Sequence, residues 1–211
     1  MLFHKVKNRI FPAKARTNEI DIRDQNMWER EYADGRWNYL SSSEQLPRYS
    51  VIEGWRNYYK PDGRVLDIGC GEGIVLSQSE LKSQIHYLGV DVSQAAINKA
   101  KQKIRNPLCQ SFICCKIEDF NMMDAEGFDL IIFNEVLYYL PNYLDILYKF
   151  QSYLKPGGMF LVSISHSKKR TWQLVDKKLE KYRLNAVYLR GLHSPKGWQL
   201  GIYCPQADFQ I

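Results

Sequence analysis

The sequence predicts an α/β fold: a Rossmann-like, doubly wound sheet of seven strands, mostly parallel, with an antiparallel C-terminal hairpin. Two observations carry this expectation. From residue 63 onward, short apolar-rich runs alternate with segments striped at helical spacing, the pattern of parallel strands joined by helical crossovers. Near the C-terminus "NAVYLRGL" and "GWQLGIYC" flank His193-Ser194-Pro195-Lys196, which reads as a hairpin.

The elements follow in order. The first twenty-odd residues scatter Leu2, Phe3, Val6, Ile10 and Phe11 among cations. Such a tail suits weak contact with an anionic membrane surface or an acidic partner, and a frayed, solvated tail is the competing reading. Residues 28–45 set Trp28, Tyr32, Trp37 and Tyr39 around Ala-Asp-Gly and read as a loop with aromatic anchors. From Leu46, the spacing of Tyr49, Ile52, Trp55 and Tyr59 is helical, and Pro61-Asp62-Gly63 ends it. "RVLDIG" is a strand, "GIVLSQSEL" a helix and "HYLGVDV" a strand. "SQAAINKAKQKI" is a helix with Ser93 as N-cap and Ala96, Ala100 and Ile104 on one face. "SFICCKI" and "FDLIIFNEV" are the third and fourth strands, and Tyr143, Leu147, Phe150 and Leu154 stripe the next helix. Lys155-Pro156-Gly157-Gly158 stops that helix before the fifth strand, "MFLVSIS", and Trp172, Val175, Leu179 and Tyr182 mark a last helix.

Composition bounds the class. With 211 residues, 45% hydrophobic and 25% charged, the chain can bury a real core, and no apolar run approaches the roughly 20 residues of a membrane span. The N-terminus lacks the apolar block of a secretory signal, so a cytoplasmic location is expected. Cys70, Cys109, Cys114, Cys115 and Cys204 form no C-x-x-C pair, which suits reduced, structural thiols, and no metal site is assigned. The net charge of +6 is local: residues 1–16 carry five basic and no acidic residues, and residues 168–183 carry seven basic against two acidic. The remainder is mildly acidic.

"VLDIGCGEG" places Gly69, Gly71 and Gly73 in the loop after the first strand, where ligands of such sheets bind. Glycine there lets the backbone turn with positive φ and lets a ligand approach without meeting a Cβ. Dinucleotide folds use G-x-G-x-x-G with a pyrophosphate on the helix N-terminus, where an adjacent acid would be repelled. Here Asp67 precedes the loop and Glu72 sits inside it, which suits a cationic ligand such as the sulfonium and ammonium of S-adenosylmethionine. Asp91 ends the second strand, where a carboxylate can accept from both ribose hydroxyls. Glu118 and Asp119 follow the third strand, placed for the adenine amine; a solvated loop pair is the alternative.

These motifs resemble those of class I S-adenosylmethionine-dependent methyltransferases of the small-molecule, methyltransferase-domain 11/12-like type. "VLDIGCGEG" matches the superfamily's D-x-G-x-G-x-G signature, "YLGVDVS" its second-strand motif, "FDLIIFNEVLYYL" its fourth strand and "LKPGGMFLVSI" its fifth. The likeness spans residues 63–165. It implies S-adenosyl-L-methionine as cofactor, with S-adenosyl-L-homocysteine as product. It sets Asp67, Gly69, Cys70, Gly71 and Gly73 around the methionine part, Asp91 and Val92 at the ribose, Glu118 or Asp119 at the adenine, and Asn134 and Glu135 in the pocket. Composition marks 1–24 as a basic N-terminal tail, and the resemblance implies an N-terminal helical lid over 25–62 and a methyltransferase domain over 63–211. In the lid, Tyr32, Trp37, Arg48 and Tyr49 would cover the cofactor, with Arg48 on its carboxylate; a surface arginine and core aromatics are the competing readings.

Methyl transfer needs a general base only for an acceptor that must lose a proton. His166, just past the fifth strand, is the first candidate, with Glu135, Tyr138 and His193 behind it. The fourth-strand loop reads Asn134-Glu135-Val136-Leu137, unlike the Asn/Asp-Pro-Pro-Tyr/Phe turn of nucleobase amine methyltransferases. A small acceptor is therefore expected: a hydroxyl or amine of a sugar, amino sugar or specialised metabolite. The general look resembles methyltransferases of glycan and nodulation-factor type. RNA or protein methylation, gripped by the basic 168–183 segment and the tail, is the alternative. A monomer or homodimer is expected.

Overall fold

The structure, a computed structural model, describes residues 24–78, 85–121, 126–191 and 196–205. The basic segment 1–16 and His193 lie outside these residues.

The chain opens with helix α1 (Gln25–Ala33), where the Asp24 carboxylate accepts from the Met27 N–H at 2.7 Å and caps the first turn. It carries Trp28 and Tyr32, which the sequence pattern assigned to a loop. The i, i+4 spacing of these two rings puts them on one helix face, and tertiary contacts to that face stabilise a helix whose local signal is weak. Two 3₁₀ turns, Asn38–Ser41 and Ser43–Gln45, lead into α2 (Leu46–Tyr59), which has a proline in its first turn.

Strand and helix then alternate: β1 (Val65–Ile68), α3 (Ile74–Gln78), β2 (Tyr87–Asp91), α4 (Gln94–Lys101) and β3 (Gln110–Cys114). There follow β4 (Phe128–Asn134), α5 (Tyr143–Gln151), β5 (Leu154–Ser165), α6 (Lys169–Leu179), β6 (Arg183–Arg190) and β7 (Gly197–Tyr203). The seven strands form one sheet in the order β3-β2-β1-β4-β5-β7-β6. Strand β7 is antiparallel to both its neighbours, and the other six run in one sense.

The pleat sorts the strand residues between two cores. Leu66, Ile68, Ile131, Phe133, Phe160 and Val162 meet the buried stripes of α5 and α6. Val65, Leu130, Ile132 and Leu161 face the other way, against α2, α3 and α4. All ten are essentially inaccessible, each contributing about 1.5–3 kcal/mol of burial. Leu154, striped with the fifth helix in the sequence, instead opens β5 opposite Phe128. Tyr182 likewise falls in a 3₁₀ turn beyond α6 rather than in the helix. In both cases the apolar side chain still reaches the core, so periodicity found the face but not the element's end.

Because β2 lies on one side of β1 and β4 on the other, the chain reverses direction across the sheet at β1, opening a crevice above the carboxyl ends of these strands.

Candidate functional site

The glycine loop lies in that crevice. Gly69 and Gly71 have φ of 68° and 52°, in the left-handed region that favours glycine. A Cβ on Gly69 would strike the Val136 side chain, and one on Gly71 would come within 2.7 Å of the Tyr32 hydroxyl oxygen. The backbone is thus approached from above by α1 itself. Gly73 backs onto Phe112, and the Cys70 thiol is buried beside the Gly71 carbonyl.

Asp91 ends β2 with its carboxylate buried. Oδ2 accepts from the Gly71 N–H at 2.8 Å and Oδ1 from the Ser93 N–H at 2.9 Å. Burial pushes its pKa up to about 6 against the pull of these backbone donors. Asp67 lies deeper; it accepts from the Tyr87 hydroxyl, and burial raises it to about 7. Its other oxygen, Oδ1, is a buried acceptor with no hydrogen-bond partner among the described residues.

Helix α1 closes the top. Glu29 accepts from the Ser93 hydroxyl at 2.7 Å and the Ala95 N–H at 3.0 Å, so it sits on the N-terminus of α4. Lys99 donates to the Tyr32 carbonyl at 2.7 Å and to Glu72 at 2.8 Å. Glu72 therefore pairs with a lysine of the protein, which corrects its reading as a charge held for a cationic ligand. Trp28, Tyr32 and Trp37 pack against one another, with Trp28 edge-on to Tyr139 at 4.8 Å between centroids.

At the end of β4, Glu135 has φ of 61°, a left-handed conformation uncommon for a non-glycine residue. Its carboxylate accepts from Tyr138 Oη at 2.9 Å and Ser163 Oγ at 3.0 Å, and Arg48 Nη1 stands 3.7 Å away. Burial raises the Glu135 pKa while Arg48 and the two hydroxyls pull it down. Burial and the facing carboxylate keep the Tyr138 phenol protonated, well above its ordinary value. Arg48 is only 2% exposed, its guanidinium lying between the rings of Tyr49 and Trp198.

These groups surround a cavity of about 650 Å³. Of the residues singled out in the sequence, Tyr32, Trp37, Arg48, Gly69, Asp91, Val92, Glu118, Asn134, Glu135 and Tyr138 line it. Asp67, Cys70, Gly71 and Gly73 shape its floor from behind without lining it. Asp119 is exposed and outside the lining. His166 is exposed on the 3₁₀ turn after β5, its ring 5.0 Å from that of Tyr188 on β6 and outside the lining. Trp28, Tyr139, Trp198 and Lys168 line the cavity without having been read as site residues. For Trp28 and Tyr139 the signal was the aromatic density of 28–39 and of 138–139, while Trp198 arrives only through the pairing of β7 with β5.

Residues 59–201, more than half the chain, match the model of a family described as a methyltransferase domain. This chain belongs to the class I S-adenosylmethionine-dependent methyltransferases. The methyltransferase is 31% identical over 156 residues to ubiquinone biosynthesis O-methyltransferase of Glaesserella parasuis serovar 5, spanning 70% of this chain and 65% of the relative. It is 30% identical over 111 residues to the protein of the same name in Hahella chejuensis (52% and 46%). It is 28% identical over 165 residues to an uncharacterised protein of Methanocaldococcus jannaschii (76% and 44%). It thus spans less than two thirds of each relative, and about half of the latter two. Among solved structures it resembles N-methyltransferase NodS from Bradyrhizobium japonicum WM9 in complex with S-adenosyl-L-homocysteine, with TM-score 0.70 and 24% identity over 86% of this chain and 98% of NodS. It also resembles the plantazolicin methyltransferase BpumL in complex with a desmethylPZN analog and the same product, with TM-score 0.62 and 15% identity over 86% and 95%. At these identities the solved structures establish the shared fold.

Proposed function

We propose that this methyltransferase binds S-adenosyl-L-methionine in the crevice and methylates a hydroxyl or amine of a small molecule, a sugar, amino sugar or specialised metabolite. The observation that carries the reading is the buried Asp91 carboxylate at the cavity wall, beside Gly69 and under an aromatic lid. The cavity suits the cofactor. Of its acids, Asp91 and Glu118 stand at and just past the ends of β2 and β3, and Asn134 Oδ1, on a residue that lines the cavity, is a buried acceptor with no partner among the described residues. A donor-rich nucleoside with an ammonium group would match such acceptors. Bound there, it supplies a methyl group already activated on a sulfonium.

The work left to the protein is orientation and exclusion of water. Asp91, fixed by two backbone N–H groups, presents its remaining lone pairs to ribose hydroxyls. Glu118, or Asp119 beside it, stands for the adenine end, and Trp28, Tyr32 and Trp37 shut out solvent. Arg48 is a donor for a carboxylate. At the acceptor side Tyr138 keeps its proton and Glu135 can take one, so Glu135 is the general base in this reading and His166, outside the lining, gives way to it. We take 1–24 as a basic tail with weak affinity for anionic membrane surfaces, 25–62 as the lid and 63–211 as the catalytic domain of a cytoplasmic monomer or homodimer. RNA or protein is not the favoured acceptor, because the aromatic cavity is sized for a cofactor and a small partner rather than shaped as an open basic groove.

Calorimetry with S-adenosyl-L-homocysteine tests the cofactor half: saturable binding is expected, weakened at least tenfold in Asp91→Ala, about 1.4 kcal/mol or more. Binding unchanged by that substitution overturns the assignment. Incubating the chain with methyl-labelled cofactor and cell fractions tests the acceptor half, since label in RNA or protein rather than the small-molecule pool would reverse it.

A further inference from the structure

We infer that Ser163, inside β5, is the positioning residue that aims the Glu135 carboxylate at the acceptor. The inference rests on the reading of Glu135 as general base and names what holds that base in place. Ser163 is fully buried and is not among the residues that line the cavity, so it reaches a ligand only through a neighbour. The strand around it is apolar: Leu161, Val162 and Ile164 are all inaccessible. A hydroxyl buried in such a run costs free energy unless it is hydrogen-bonded, and packing alone would be served by alanine. The Ser163 hydroxyl donates to Glu135 Oε1 at 3.0 Å.

Strand pairing explains why a residue of β5 does this. Strands β4 and β5 run in parallel with Asn134 opposite Ser163. Side chains alternate between faces along a regular strand, so an extended Glu135 would point away from the face that Asn134 and Ser163 share. The φ of 61° at Glu135 breaks that alternation, and its carboxylate comes to the Ser163 hydroxyl. The Ser163 carbonyl also accepts from the Glu135 N–H at 3.0 Å, so one serine holds both the backbone and the side chain of the base. These two bonds offset the cost of a left-handed conformation in a residue with a Cβ. The carboxylate oxygens are held separately. Oε1 takes the Ser163 hydroxyl, Oε2 takes the Tyr138 hydroxyl at 2.9 Å, and Arg48 Nη1 stands 3.7 Å from Oε2. Arg48 from α2, Tyr138 from the turn after β4 and Ser163 from β5 are the groups that favour the charged carboxylate against its burial. Arg48 is itself bonded to the Tyr49 hydroxyl at 3.0 Å. Arg48 and Tyr138 line the cavity, and Ser163 does not, so the Ser163 bond is the one for which a bound cofactor or acceptor does not compete. A base held in one orientation meets the acceptor's proton without a search over rotamers.

The test uses the full chain saturated with S-adenosyl-L-homocysteine, its glutamates carrying a carbon-13 label at the side-chain carboxyl. The Glu135 resonance is the one that Glu135→Gln removes, and its position is followed against pH. Ser163→Ala should titrate at a pH higher by about one, the loss of a hydrogen bond that favours the charged form. Ser163→Thr, which keeps the hydroxyl on a side chain suited to a strand, should return the midpoint to wild type. The Ser163→Ala titration decides by itself where the extra methyl of Ser163→Thr unfolds the chain. Ser163→Ala should keep the wild-type affinity for S-adenosyl-L-homocysteine. The rising limb of methyl transfer into the small-molecule pool should move to higher pH with the carboxylate. A Ser163→Ala protein whose Glu135 titrates at the wild-type midpoint overturns the inference and leaves the general-base reading standing, even if its melting temperature falls, since packing alone gives that result. A rising limb unchanged in Glu135→Gln overturns the general-base reading and this inference with it.

Discussion

Asp67 and Glu135 are buried carboxylates whose pKa values burial raises. Burial holds Asp67 at about 7, above the roughly 3.9 of an unfolded chain. Between those values the folded protein keeps a proton that the unfolded chain has released, so stability falls as pH rises from about 4 to about 7 and is level above. Asp67→Asn, which removes the titration, should therefore melt above wild type at pH 8, with the gap closing toward pH 4. Melting curves at the two pH values check this, and a gap independent of pH would contradict it. Glu135 sits at positive φ against the burial of its charge, and its partners hold it there. Its pKa is raised from 4.5, so methyl transfer should climb with pH through that ionisation and level off. Glu135→Gln should remove that limb of the profile and lower kcat by about a hundredfold or more, the usual contribution of a general base. A parallel pH profile in the variant would assign the proton to another group. The sequence displayed both carboxylates, but which one faces a cavity and which lies beneath it depends on strand register, and no local pattern carries that.

At the scale of elements, α1 is the one docked over the glycine loop. It has few buried contacts of its own, and what seats it is a set of polar bonds: Glu29 to the α4 terminus and Lys99 to the Tyr32 carbonyl. Such an element opens at a lower free energy than the sheet beneath it. Glu29→Ala removes bonds that are largely solvent-screened, so the loss should be modest, about 1 kcal/mol or less. The expected outcome is faster amide exchange over Gln25–Ala33 and several-fold weaker binding of S-adenosyl-L-homocysteine, with the global melting temperature nearly unchanged. Exchange measured by mass spectrometry separates this from general destabilisation, which would speed exchange in β1 and β4 as well. The sequence showed the aromatics of this region yet read them as a loop, because a nine-residue helix with little apolar periodicity is stabilised by what it docks on rather than by its own composition.

For the whole molecule, the charge is divided between a mildly acidic body and two basic segments. In α6 the division is visible: Thr171, Val175 and Leu179 are buried, Arg183 beyond it pairs with Asp176 at 2.6 Å, and the lysines face outward. No helix among the described residues is long and apolar enough to cross a membrane. If residues 1–23 supply the surface affinity proposed for the tail, the full chain should co-sediment with phosphatidylserine-containing vesicles at low salt and release as salt rises. A chain starting at Asp24, which keeps the α1 cap, should not bind, and equal binding of the two would place the contact elsewhere. The sequence by itself determined the α/β alternation, the glycine loop and the acids at the ends of β1 and β2, because strand length, helical spacing and turn chemistry are local properties of the chain. The aromatic closure by α1, the pairing of Glu72 with Lys99, the displacement of His166 to the surface and the gathering of Arg48, Glu135, Lys168 and Trp198 around one cavity were decided only by the tertiary structure. Those groups come from segments far apart in the chain, and the sheet order that brings β7 beside β5 and β4 beside β1 is what sets the distances between them.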